Sequence, residues 1–257
     1  MNFLKKIFID KKYNKYTYNF LGFLFIIFVW IILSVYFDNS IVIPKISDVF
    51  DAFKEVFSKS RIYSIILKTI FRILLTVSVS LVVSLLLSTL AFMSEKISHF
   101  LNPLMVVLKT IPIIAIIILL FMMINIKMTP YFATGFVVVP IMYEGMLATL
   151  KQIDHNITDD IKTVTNTNVT VLVKFYIPLV FPSIITSIIQ SFGLGFKVML
   201  MAEFISPSRN TLGAEMSRYY NNNEMAKVFS LIIVILVIVL IVDKILKSLR
   251  EKWYNTL

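Results

Sequence analysis

Apolar residues run in six blocks along the 257-residue chain, at positions 18–37, 63–93, 100–124, 130–150, 179–205 and 228–243. A hydrocarbon core needs about 20 mostly apolar residues to be crossed by a helix, and each block supplies that length, the last through its continuation. Lipid offers the backbone no hydrogen-bond partners, so continuous runs of this length predict helices. The expected fold is an all-α polytopic membrane protein with six transmembrane helices. The second and fifth blocks exceed what a bilayer requires, which predicts tilt or extension beyond it.

Three of the polar connections carry patterns of their own. After Pro44, Ser47 offers an N-cap and Asp48 and Asp51 place acids in a first turn, while Val49, Phe50, Phe53, Val56 and Phe57 form one helical stripe. A short amphipathic helix on the outer membrane surface is expected there. The connection 206–227, with Leu212-Gly213 and Asn221-Asn222-Asn223, reads as a loop holding one or two helical turns. The third connection, between the fourth and fifth blocks, is the most telling. Ile153, Ile157, Ile161 and Val164 share a helix face, and Thr158 caps a start at Asp159 and Asp160. Thr165, Asn166, Thr167 and Asn168 favour a turn. Val169, Leu172, Val173 and Tyr176 then resume the spacing until Pro178. Two short helices with a polar elbow result, and their apolar stripe packs either on the protein's own helix ends or in a groove of another subunit.

Composition supports the bilayer: 58% of residues are hydrophobic and mean hydropathy is +0.85, against roughly 45–50% apolar in a soluble domain. The net charge of +10 serves orientation and anionic lipid rather than nucleic acid, because no soluble basic domain is present to bind it. Lys and Arg favour the set of connections that includes both ends, led by Lys5, Lys6, Lys11, Lys12 and Lys15, so both termini are expected in the cytoplasm. The first block is read as a retained helix rather than a signal peptide, whose core would be shorter and followed by a cleavage site. The expected organisation is a basic cytoplasmic N-terminus (1–17), a first span with the external helix (18–60), a permease core (61–248) containing the loop 153–178, and a cytoplasmic C-terminus (249–257).

Asp159-Asp160-Ile161, Thr165 and Ile177-Pro178 resemble the coupling loop of bacterial ABC-importer permeases, whose pattern is Glu-Ala-Ala, three residues, Gly, and a later Leu-Pro. The acid is kept at Asp159, whereas Ile161 and Thr165 depart from the alanine and the glycine. Ile43-Pro44 with Ser47-Asp48-Val49, Thr69-Ile70-Phe71-Arg72, Asn102-Pro103-Leu104, Lys109-Thr110-Ile111-Pro112, Ala202-Glu203, Leu212-Gly213 and Asp243 through Trp253 resemble, in order, motifs of the nitrate/sulfonate/taurine permeases. The resemblance covers about residues 40–253. It implies the type I importer permease fold, a homodimer in the bacterial cytoplasmic membrane, a separate ABC ATPase in two copies, and an external solute-binding protein. It also implies that Asp159, Asp160, Ile161, Val164, Thr165 and Asn166 meet the ATPase.

Ionisable groups near a bilayer centre cost about 2.5–3.5 kcal/mol on insertion scales, so each needs an explanation. Lys68 and Arg72 lie near one end of their span and are expected to snorkel. Lys109 stands where the family carries a basic residue and is expected to be architectural. Lys197, with Glu144 or Glu203 nearby, either faces a cavity suited to an anionic or polar solute or forms an internal Lys–Glu pair. No Gly-Lys-Ser/Thr phosphate loop occurs, the chain has no cysteine, and His99 and His155 lack metal-ligand spacing. No catalysis, cofactor or metal is expected. A self-sufficient secondary transporter is the alternative function, though such folds show repeats and Gly-broken helices, and this chain has only 6 Gly and no half-to-half similarity. A membrane-embedded enzyme would need clustered His, Asp or Glu, which here are scattered.

Overall fold

The computed structural model describes residues 15–152 and 177–254, and all regular structure in them is helical. In chain order the helices are α1 (Lys15–Phe37), α2 (Ile46–Ser58), α3 (Ser60–Met93), α4 (Glu95–Thr110), α5 (Ile113–Met123), α6 (Thr129–Lys151), α7 (Ile177–Ile205), α8 (Leu212–Asn221) and α9 (Met225–Tyr254). Among the described residues five helices are long and apolar enough to cross a membrane, and a sixth span exists if α4 and α5 are taken together. The expected all-α polytopic fold is therefore present.

The third block is not one straight helix. α4 and α5 meet at a bend of 99°. Ile111 is extended there (φ −64°, ψ 130°), because the ring of a following proline crowds the helical conformation, and Pro112 has no N–H to continue the ladder. In the last turn before the bend the Thr110 hydroxyl donates to the Val106 and Val107 carbonyls at 3.0 and 3.2 Å, and the Ile111 N–H still reaches Val107 O at 3.1 Å.

α3, α6 and α7 form the core. Ile73 and Val77 of α3 meet Val138, Met142 and Met146 of α6 and Phe192, Phe196 and Met199 of α7. Small residues let these helices approach closely, as is usual where the solvent is lipid. Ser80, Ser84 and Ser88 of α3 are buried, and Ser84 donates to the Val139 carbonyl at 3.0 Å, beside Pro140. A Cβ on Gly195 would lie 3.0 Å from Val138 Cγ2 and 3.2 Å from Thr134 Cγ2, so glycine sets the α6–α7 spacing.

α1 stands apart, with only 6% of its apolar window buried. Trp30 secures it, donating from Nε1 to the Pro44 carbonyl at 3.1 Å and packing on Phe229 of α9 at 5.5 Å between ring centres. α2 forms where expected, but it begins at Ile46, and Ser47 does not cap it. The Ser47 and Ser40 hydroxyls instead donate to the Asp48 carboxylate. Its stripe is also divided: Val49 and Val56, with Ala52, turn inward, whereas Phe50 and Phe53 stay exposed.

The connection 206–227 holds a ten-residue helix, α8, rather than a loop with a turn or two. α8 closes at Asn223, which adopts φ 60°. The Glu224 N–H reaches Tyr219 O at 2.8 Å and the Asn223 N–H reaches Tyr220 O at 3.0 Å, the paired bonds of a left-handed C-terminal cap. The last span continues as helix to Tyr254, past the expected end of the core at 248.

Candidate functional site

α8 is held by acceptors drawn from three places in the chain. The first N–H groups of any helix lack partners within it. Here Leu212 N–H donates to Thr69 Oγ1 of α3 at 3.3 Å, Gly213 N–H to Glu203 Oε2 of α7 at 3.1 Å, and Ala214 N–H to Thr211 Oγ1 at 3.2 Å. A carboxylate at this position also suits the positive end of the helix dipole. Gly213 makes the approach possible: a Cβ there would sit 2.4 Å from Glu203 Cβ and 2.6 Å from Leu200 O.

Glu203 is 0% exposed, and its other oxygen accepts from Arg72 Nη1 at 3.3 Å. Arg72, four-fifths buried, also lies over the Tyr131 ring at 5.8 Å. Arg72 therefore does not snorkel: it neutralises a carboxylate that burial alone would make costly. Lys68, one turn away, is exposed as expected.

More ion pairs tie the same end of the bundle together. Arg61 of α3 meets Glu215 of α8 at 2.8 Å, and Arg218 pairs with the same carboxylate. Lys227 of α9 bridges Glu55 of α2 and Glu224, each at 2.8 Å. The Lys227 ammonium, and after it Lys59, holds the Glu55 carboxyl below its ordinary range.

At the opposite end, Lys109 of α4 pairs with Glu144 of α6 at 2.5 Å. This clasps the helix before the 99° bend to the core, in keeping with an architectural lysine. Beside the pair an open cavity of about 410 Å³ is lined by Ser98, His99, Asn102, Glu144 and Leu147, and by Lys151, the last residue of α6. The segment expected to meet an ATPase follows directly, and Asp159, Asp160, Ile161, Val164, Thr165 and Asn166 lie outside the described residues.

Of the two expectations for Lys197, the internal Lys–Glu pair does not form in the structure. Glu144 is taken by Lys109 and Glu203 by Arg72, and neither lies within 4 Å of the lysine as an ion pair. Lys197 is exposed on α7, six residues before Glu203 and away from its buried face. Sequence reasoning missed the Arg72–Glu203 pair because the two residues are 131 positions apart. The available signal was the count of charges within the spans, in which each acid needs a cation.

No curated protein matches the chain. The family model of the binding-protein-dependent transport system inner membrane component matches residues 80–253, well over half of the chain and five of its helices in full. The chain belongs to that family: it is a multi-pass inner-membrane permease subunit of a binding-protein-dependent ABC transport system, non-catalytic itself and served by a separate ATPase and a solute-binding protein.

Proposed function

We propose that two copies of this chain form the alternating-access pathway of an importer for a small anionic or polar organic solute, of the nitrate/sulfonate/taurine type. Both termini and the segment 153–178 face the cytoplasm in this reading, and α2 and α8 face the external binding protein. The observation that carries the solute assignment is Lys197, an exposed ammonium inside a span with no carboxylate of its own. A cation there is costly in hydrocarbon and useful in a polar cavity between two copies.

Asp159, Asp160, Ile161, Val164, Thr165 and Asn166 make the contact with the ATPase. ATP binding closes the two ATPase subunits and draws the paired segments together, and the core of α3, α6 and α7 moves as a packed unit between two states. The motif order along residues 40–253 and the interlocked packing of that core support this reading. Co-purification tests it. An ATPase is expected to come down with the chain and to be lost when residues 159–164 are replaced by a Gly/Ser linker. Full-speed uptake by the chain alone under an ion gradient would overturn the reading in favour of a secondary transporter.

A further inference from the structure

We infer that Gln190, Gly193 and Lys197 form one solute-contacting stripe on α7, which binds the anionic group of the transported solute; the inference rests on the permease reading above. At 100° per residue, Gln190, Gly193 and Met201 point within about 40° of Lys197. Gln190, Lys197 and Met201 are exposed and Gly193 is half-buried. Phe192, Gly195, Phe196, Met199 and Glu203 occupy the opposite arc and are buried against the core. The stripe has packed edges. Val198 and Ala202 pack against α5 on one side, and Leu200 packs towards Leu212 of α8 on the other.

Gly193 leaves the middle of the stripe open. A Cβ added there meets no atom within 4 Å, whereas at Gly195, two residues on, it meets three within 3.3 Å. Side chains on a helix lean towards its N-terminus. The Lys197 stem is thus directed back along α7 towards Gly193 and Gln190, into the span, and away from the nearer end at Ile205. Snorkelling to that end, about two turns away, runs against this direction.

Among the described residues, the acids deep within the spans of a second copy are already paired and offer this ammonium no free counter-charge. Apart from Glu95, exposed at the first residue of α4, the acids within the described spans are Glu144, Glu203 and Asp243, and each of these pairs with a cation of its own chain: Lys109, Arg72 and Lys247. What remains to complement Lys197 is a mobile anion in water. Gln190, about two turns away, supplies an amide that can donate to the same group or accept from a hydroxyl beside it.

The absence of native cysteine makes the test direct. Gln190→Cys and Gly193→Cys are placed singly in the full chain, in the purified complex reconstituted in liposomes, with Leu86→Cys on an exposed apolar position of α3 as the lipid-facing control. Each is exposed to two membrane-impermeant thiol reagents, anionic sulfonatoethyl methanethiosulfonate and cationic trimethylammonioethyl methanethiosulfonate. Both stripe cysteines are expected to react at least about tenfold faster than the control. The preference of Gly193→Cys for the anionic reagent is expected to fall about tenfold when Lys197→Met is added, as befits a charge acting within one or two turns through a polar medium. Rates as slow as the control would mean that the stripe faces lipid or protein, and an unchanged preference would mean that Lys197 does not attract the anion. Either result overturns the inference. Labelling needs no ATP, so a complex that keeps its ATPase but fails here sinks only the stripe, and one that labels as expected without an ATPase sinks only the permease reading.

Discussion

Two charged residues of α7, six positions apart, are treated in opposite ways by the fold. Glu203 is wholly buried and held by Arg72 and by the first turn of α8. Lys197 is exposed and has neither Glu144 nor Glu203 as a partner. Each sits within a span, where an uncompensated charge is expensive. The buried one is compensated inside its own chain and so serves architecture. The exposed one is left for something outside the chain, which is the condition a transported anion would satisfy. One helix thus carries a structural face and, on the proposal above, a working face.

The contrast can be broken most sharply at Gly213. Gly213→Ala pushes a methyl group against Glu203 Cβ and Leu200 O, and backbone cannot yield as a flexible side chain does. A loss of about 3 kcal/mol or more is expected, read as a fall in thermal stability of the detergent-solubilised complex. A loss no greater than that of Leu86→Ala would show that α8 is not seated on α7 in this way.

Glu203→Ala removes one half of a buried pair and strands Arg72, and is expected to cost about 3–5 kcal/mol. Adding Arg72→Met removes the stranded charge, so the double variant should be more stable than Glu203→Ala alone. Additive losses in the same unfolding measurement would mean that the two residues do not share an interaction.

Lys197→Met tests the other face. Stability should stay within about 0.5 kcal/mol of the parent, as for other exposed substitutions, while uptake in the reconstituted complex falls. Unchanged uptake by a folded complex removes the lysine from the pathway.

The smallest effect is expected at Glu55, whose charge is paired but exposed. Its carboxyl is held below the ordinary range, chiefly by Lys227. The stabilisation from that pair is present above the ordinary carboxylate value and is lost as pH falls through the lower folded-state value. Unfolding temperatures of the parent and Glu55→Gln should therefore differ slightly near neutral pH and converge in acid. The difference should shrink in high salt, because exposed pairs are screened. A gap that widens in acid would contradict this assignment.

Much of the fold was legible in order and type. The apolar blocks located every span, because helix is the conformation that satisfies a single segment's backbone in lipid. Even the bend between α4 and α5 had its signal in Ile111-Pro112, which was read as a motif rather than as a break. α8 was under-read for a different reason: Leu212, Gly213 and Ala214 need acceptors, and two of those come from Thr69 and Glu203 on other helices. Arg72 was assigned to the membrane surface on its position along α3, although Glu203 claims it. In the proposed stripe, Gln190, Gly193 and Lys197 carry helical spacing that was visible beforehand, but spacing alone does not say which arc of α7 is covered.

By itself, the chain's one-dimensional pattern determined that it crosses a membrane repeatedly as helices, that a polar connection separates α6 from α7, and that charges lie within the spans. These follow from local properties, namely length, hydropathy and the backbone's need for partners. Only the tertiary structure decided which charges neutralise one another and which is left exposed, since that depends on residues brought together across 131 positions rather than on neighbours along the chain.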